Sequence, residues 1–352
     1  MDSRPKDLPL PTLSKLIPPS FEHRPFEHFE EHPFLPEDTT YSLTKAWWLA
    51  EASLLAYGDE SFVTRRLDEA GLVEKLGMRV RFFAGPTRGA QCVVADTDGF
   101  VIVAFRGTRI ESFPDPFWNL SLRRVNGADF ATNIDLRLDP VAKVHSGFNR
   151  AIDEVWNDLR DHLDALRVAR EERTFWFTGH SLGAALATIA ADRYGAGRVS
   201  GLYTFGSPRV GDDAFRERFA VPCYRFVNNT DVVPHIPPRD LLGDYAHVGA
   251  LRFLDSAGRI VTDPTLFELV ESHVRGHIRA ARSGLDAYNS TRVKEAGQVW
   301  LDALSRWDFS NLAVRLEPLD LDVLPLASLA DHMPISYAVK VWNALTREEP
   351  RD

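Results

Sequence analysis

Residues 174–194, TFWFTGHSLGAALATIAADRY, begin as a run of β-preferring residues and pass without a spacer into a run of helix formers. Between the two stands Gly179-His180-Ser181-Leu182-Gly183, a G-x-S-x-G pattern in the strand–turn–helix setting that gives it chemical meaning. A turn this sharp forces the Ser181 backbone into a strained geometry, and glycine at 179 and 183 leaves room for strand and helix to approach each other. The Ser181 hydroxyl is therefore expected at the C-terminal edge of a sheet. The helix that starts at Leu182 turns free N–H groups and its positive dipole end toward the same point, which makes the Leu182 N–H an expected donor to an oxyanion.

Outward from the turn, residues 145–172 carry Phe148, Ile152, Val155, Leu159, Leu163 and Leu166 at spacings of three and four, which predicts one long amphipathic helix. Further upstream, QCVVADTDGFVIVAFRGT reads as two strands about a tight Asp98-Gly99 turn. LTKAWWLAEASLLAY, 43–57, reads as a helix, with Gly58 suited to a left-handed cap. Downstream, VSGLYTFGSP and CYRFVNN read as strands, and YAHVGALRFLD with RIVTD as a hairpin. The expected fold class is α/β, a mainly parallel central sheet flanked by helices.

Residues 1–40 hold eight of the 22 prolines and no glycine, and are expected to be a Pro-rich N-terminal arm. His23, His28 and His32 within it make a poor metal site, since their neighbours are Phe, Pro and Glu. Residues 41–352 are expected to form a single domain that includes a helical insertion over about 264–328.

The chain has 352 residues, 44% hydrophobic and 26% charged, which excludes fibrous and wholly disordered classes. With 41 Lys+Arg against 50 Asp+Glu the net charge is 41 − 50 = −9, which repels phosphate backbones, so no nucleic-acid partner is expected. No apolar stretch reaches the roughly 18 residues of a membrane span. Cys92 and Cys223 lie in strand-like runs and read as buried thiols, and the N-terminus shows no h-region. Both observations predict a cytoplasmic location.

A serine nucleophile needs a base, and the base an orienting carboxylate. In the chain order Ser, acid, His, the strongest acid candidate is Asp231 at the end of CYRFVNNT, while Asp212 and Asp213 suit a helix start. Five histidines follow Asp231. His235 is four residues away, His247 lies in a strand pattern, and His273 and His277 sit on a charged helical face. His332, in the irregular ASLADHMPISY on a loop able to fold over the sheet edge, is the expected base. No metal or organic cofactor is required.

FRGT at 105–108, VHSGF at 144–148, TGHSLGAALA at 178–187, FGSPRVGDDAF at 205–215, TDVVPHIPP at 230–238 and DHMPISY at 331–337 together resemble the class 3, fungal-type lipases of the α/β-hydrolase fold. The resemblance implies Ser181 as nucleophile, Asp231 as acid and His332 as base, in agreement with the chain-order argument. It further implies Thr108 as a second oxyanion donor through its backbone N–H, and His145 and Val233 as acyl-groove residues. Family members cover the site with a lid, and here that interval, RIESFPDPFWNLSLRRVNG, offers Phe113, Phe117, Trp118, Leu120 and Leu122 as its apolar face. The implied activity is hydrolysis of acylglycerol-type lipid esters, with phospholipase A1 or another esterase as the alternative within the same machinery and a non-catalytic lipid-binding protein as the alternative outside it. The expected partners are a lipid or small ester substrate and transient contact of the lid with a lipid interface. The family's disulfides and secretion signal have no counterpart in the sequence.

Overall fold

The computed structural model describes residues 6, 23–87, 90–107, 138–231, 233–237, 244–265, 267–272, 275 and 331–348. Helices α1 (Leu43–Leu55), α2 (Glu60–Glu69) and α3 (Leu72–Leu76) lead into strands β1 (Arg79–Ala84), β2 (Gln91–Asp96) and β3 (Phe100–Phe105). Then come α4 (Ser146–Ala169), β4 (Thr174–His180), α5 (Leu182–Tyr194), β5 (Gly201–Phe205), β6 (Gly211–Asp212), α6 (Asp213–Arg218) and β7 (Cys223–Asn228). Strands β8 (Tyr245–Ala246), β9 (Ala250–Leu254) and β10 (Ile260–Val261) and helix α7 (Pro334–Glu348) complete the order.

One eight-stranded sheet runs β1-β2-β3-β4-β5-β7-β9-β10, and β6 pairs with β8 apart from it. β3, β4, β5, β7 and β9 are mutually parallel, while β1, β2 and β10 add antiparallel edges. The mainly parallel α/β sheet anticipated from the sequence is what forms.

Strand periodicity explains why both faces are covered. Phe100, Ile102 and Ala104 of β3 join one apolar cluster with Trp176, Tyr203, Phe226, α1 and α7. Val101, Val103 and Phe105 of the same strand join the other, with Phe175, Phe177, α4 and α5. A strand buried on both sides must be apolar at every position, which is why VIVAF and TFWF read as continuous hydrophobic runs. The helical stripe is equally plain in α4, where Ile152, Val155, Leu159 and Leu163 are the buried residues.

The β2–β3 turn forms where Asp98-Gly99 predicted it, with the Thr97 hydroxyl accepting from the Gly99 and Phe100 N–H groups at 3.2 and 3.1 Å. The β9–β10 hairpin also forms. Gly58 has a different reason from the one expected. Its φ is not positive, and a Cβ there would come within 2.5 Å of the Phe62 ring, so the position demands space and not a left-handed backbone.

Within the stretch expected to be an arm, Phe26, Phe29 and Phe34 are buried in the same cluster as α1 and α7. Phe26, Phe29 and Phe34 surround the Trp48 ring at centroid distances of 4.9, 6.2 and 5.6 Å, and Trp48 Nε1 donates to the His32 carbonyl at 2.9 Å. His28 stacks on Trp342 of α7 at 4.7 Å, and His23 bonds Glu51 at 2.7 Å. Aromatic side chains, not backbone pairing, fasten this proline-rich segment. Of the expected 264–328 insertion, only 264, 265, 267–272 and 275 are among the described residues, and 267–272 are helical. Cys92 and Cys223 are buried free thiols, and burial raises the pKa of both.

Trp48→Ala is expected to cost about 3–5 kcal/mol in urea unfolding, the usual range for deleting a large core aromatic, and to expose the 23–37 segment to proteolysis. A loss under about 1 kcal/mol would show that the aromatic layer does not hold this segment.

Candidate active site

The carboxyl ends of the parallel strands converge, as ligand sites of open α/β sheets do. Ser181 follows β4 directly, Gly206 follows β5, Asp231 lies three residues past β7, and Gly107 two past β3. Ser181 has φ 57° and ψ −127°, a combination that costs on the order of 1–3 kcal/mol for a residue with a side chain. Its N–H is held by the Phe205 carbonyl at 2.9 Å. A Cβ at Gly179 would overlap the Gly183 carbonyl group, and one at Gly183 would overlap the Phe105 carbonyl oxygen. The two glycines thus let α5 begin against β3 and β4, and this close contact turns Ser181 outward.

His332 lies just before α7 and brings its ring between Ser181 and Asp231. Its Nε2 is 2.9 Å from Ser181 Oγ, and its Nδ1 is 2.9 and 3.0 Å from the two Asp231 oxygens. Because a carboxylate only accepts, Nδ1 carries the proton and Nε2 is free to accept from the serine hydroxyl. Asp231 is fully buried, yet it is not alone: Tyr337 OH donates to Oδ2 at 2.7 Å and the Val233 N–H to Oδ1 at 2.9 Å. These donors compensate the burial of the charge. Tyr337 OH in turn accepts from the Asn228 N–H at 3.0 Å. Burial, then the Asp231 charge, holds the Tyr337 phenol well above its ordinary pKa, so it stays a donor.

Three residues here had no role in the sequence reading. Gly206 has φ +60°, and a Cβ there would stand 2.8 Å from Asp231 Oδ2 and 3.2 Å from His332 Nδ1. His180, the second letter of G-x-S-x-G, sends Nε2 to the His332 carbonyl at 2.5 Å, while its Nδ1 meets the Tyr57 hydroxyl at 2.8 Å. The carbonyl accepts, so Nε2 bears the proton and Tyr57 donates to Nδ1. Burial, reinforced by the charge of His332, keeps the His180 pKa well below the usual imidazole value. The DHMPISY resemblance pointed at Tyr337, but nothing local announces Tyr57, 123 residues from its partner.

Leu182 is the first residue of α5, where a helical N–H has no intrahelical partner. Thr108 and the lid residues Phe113, Phe117, Trp118, Leu120 and Leu122 lie outside the described residues, as do His273 and His277. His145 caps α4, its Nδ1 accepting from the Gly147 and Phe148 N–H groups, and its ring stacks on Phe148 at 4.1 Å. Val233 is buried, and its backbone holds Asp231. Asp212 is the N-cap of α6. His247 Nε2 donates to the Pro234 carbonyl at 2.7 Å and takes no part in the Ser181–His332–Asp231 row. Among the described residues no group of His, Cys, Asp or Glu could hold a metal ion.

Burial, with Arg225 and Arg209 beside it, holds the His247 pKa well below 6.5. The unfolded chain therefore takes up a proton near pH 6.5 that the folded chain refuses, and stability falls as pH drops below that value. In His247→Gln, which can keep the donor to Pro234, the slope of unfolding free energy should be smaller than the parent's, by about 0.7 kcal/mol per pH unit near pH 6.5 and up to about 1.4 near pH 5. Equal slopes in urea titrations would show that His247 accepts a proton while folded.

Residues 102–241 match the lipase (class 3) family. The chain is 37% identical over 130 residues to secreted mono- and diacylglycerol lipase 1 of Fusarium solani, covering 36% of this chain and 38% of that protein. It is 30% identical over 217 residues to a secreted mono- and diacylglycerol lipase of Malassezia globosa, covering 58% and 68%. Lipase II from Rhizopus niveus is similar in structure, with a TM-score of 0.46 and 22% identity over 60% of this chain and 80% of that one. The chain spans 38% of the Fusarium protein's length and 43% of the Rhizopus niveus and Rhizopus oryzae lipases. The cytoplasmic location expected from the N-terminus and the cysteines is corrected by these relatives, two of which are named as secreted. Their names point outside the cell. By the match over its central strands and the similarity that extends over two thirds of the Malassezia protein, the chain belongs to the class 3 lipase family.

Proposed function

We propose that this chain is a serine carboxylester hydrolase that cleaves acylglycerol-type lipid esters outside the cell. The observation that carries the reading is the unbroken row from Ser181 Oγ through the His332 ring to Asp231, with 2.9 Å at each link. In the proposed reaction His332 Nε2 takes the Ser181 proton as Oγ attacks the ester carbonyl. The tetrahedral intermediate then collapses, and the departing alkoxide leaves with that proton as an alcohol. Water repeats the sequence on the acyl-enzyme and releases a fatty acid. Asp231 keeps the ring oriented and balances the imidazolium charge.

The Leu182 N–H is the first oxyanion donor. Thr108 is the second, next in the chain after Gly107, at which a Cβ would approach the His180 carbonyl oxygen to 2.7 Å. Loss of one such donor typically costs about 10²- to 10³-fold in turnover. The proposed lid is the segment carrying Phe113, Phe117, Trp118, Leu120 and Leu122, whose apolar face would exchange the acyl site for a lipid surface. Acylglycerols are favoured as substrates by the names of the Fusarium and Malassezia relatives. Among the described residues no helix is long and apolar enough to cross a membrane.

A fluorophosphonate probe should label Ser181, and Ser181→Ala should lose both the label and, by on the order of 10⁶-fold, the hydrolysis of a soluble ester. His332→Ala should be similarly inactive while His247→Ala retains turnover; the reverse pattern would move the base to His247. With mono-, di- and triacylglycerols and a phospholipid offered in parallel, acylglycerols should be cleaved fastest, and a phospholipid preference would replace the substrate assignment. The rate should jump once substrate exceeds its solubility limit, and a rate that only follows dissolved substrate would remove the lid.

A further inference from the structure

Asp331 and His332 are consecutive, as are Thr230 and Asp231, and the two pairs are joined twice. His332 meets the Asp231 carboxylate. One residue earlier in each segment, Asp331 Oδ2 accepts from the Thr230 N–H at 3.1 Å and from the Thr230 hydroxyl at 2.7 Å. Asn229 Nδ2 adds a third bond to Oδ2 at 3.1 Å, and Asn228 Nδ2 donates to the Asp331 backbone carbonyl at 2.7 Å. On the other oxygen, Lys340 of α7 donates to Asp331 Oδ1 at 2.9 Å and also to Asn228 Oδ1 at 2.5 Å. Lys340 is only 4% exposed.

We propose that Asp331 is a positioning residue for the reaction, its carboxylate clamping the segment that bears the base to the turn that bears the acid, with Lys340 closing the clamp from α7. The proposal rests on the triad reading above. His332 is 101 residues from Asp231 and 151 from Ser181, so chain connectivity alone does nothing to hold its ring within hydrogen-bond reach of both. Productive geometry needs side chains held to within about 0.5 Å. The clamp holds the 331–332 segment through the Asp331 backbone carbonyl and side-chain carboxylate, and His180 holds it again at the His332 carbonyl. Burial alone would raise the pKa of Asp331; the Lys340 charge and the Thr230 bonds more than offset that, leaving it below the ordinary carboxyl value.

The test is turnover per phosphonate-titrated Ser181 on a soluble ester, which discounts unfolded protein, with unfolding stability measured alongside. Asp331→Ala is expected to lower kcat by about 10- to 10²-fold with KM unchanged, the scale of a misplacement near 1 Å. Asp331→Asn keeps an acceptor for the Thr230 N–H and hydroxyl and should recover part of that loss. Parent kcat in folded Asp331→Ala, with only stability reduced, overturns the proposal. If Asp331→Ala does not fold, Thr230→Val and Lys340→Met each remove one arm; a lowered kcat in either supports the clamp, and parent kcat in both overturns it. Ser181→Ala and His332→Ala separate the two levels. If they are inactive and Asp331→Ala matches the parent, only the clamp is lost; if they retain turnover, the triad reading falls and the clamp with it.

Discussion

The contact between the start of α5 and the ends of β3 and β4, closed to anything larger than glycine at 179 and 183, is the constraint on which the site depends. It puts Ser181 at positive φ, aims the helix N-terminus at the same space, and sets the hydroxyl 2.9 Å from an imidazole that arrives from the far end of the chain. The strain at one residue is small beside the burial that opposes it: ten of the thirteen α5 residues are buried, many of them alanines that let the helix lie close to the sheet. A chain relaxed at Ser181 would have to lift α5 off two strands.

What surrounds that contact is unusual for the amount of buried polar matter it contains. Asp231, Tyr337, His332, His180, Tyr57, Asn228 and Lys340 are all nearly inaccessible, and each has a hydrogen-bond partner of the complementary kind. In so dry a setting an unmatched donor or acceptor would be costly, whereas a complete set fixes orientations that apolar packing leaves loose. Helix α7 contributes two of the matches, Tyr337 and Lys340, three residues apart and therefore on one face.

The fold was legible because its signals are local. Two-sided burial makes β3 and β4 continuously apolar, α4 repeats every three to four residues, and Asp98-Gly99 makes its turn with near neighbours. The positions of Ser181, Asp231 and His332 were legible from a sharp turn and an order along the chain. The parts that were not legible arise from long-range contact. Tyr57 has meaning only once α1 packs across β3, β4 and β5, Gly206 only once Asp231 and His332 meet beside it, and Asp331 only once its neighbour's partner is Asp231. At the N-terminus proline density predicted an arm, and composition left unsaid that its phenylalanine and histidine side chains pack on α1 and α7. Composition misled on location, where two buried thiols spoke for a reducing interior and the secreted relatives speak against it.

The stacking of His28 on Trp342 carries a consequence for where this molecule can be cut. Trp342 belongs to α7, whose first turn adjoins His332, and the His28 and His32 rings lie against it while Phe26, Phe29 and Phe34 pack on Trp48 of α1. A version trimmed to start at residue 41, the limit that proline content suggests, would strip Trp342 of its His28 and His32 contacts and Trp48 of its phenylalanines. Ser181, Asp231 and His332 would all remain, and yet the helix that follows His332 would have lost part of its packing.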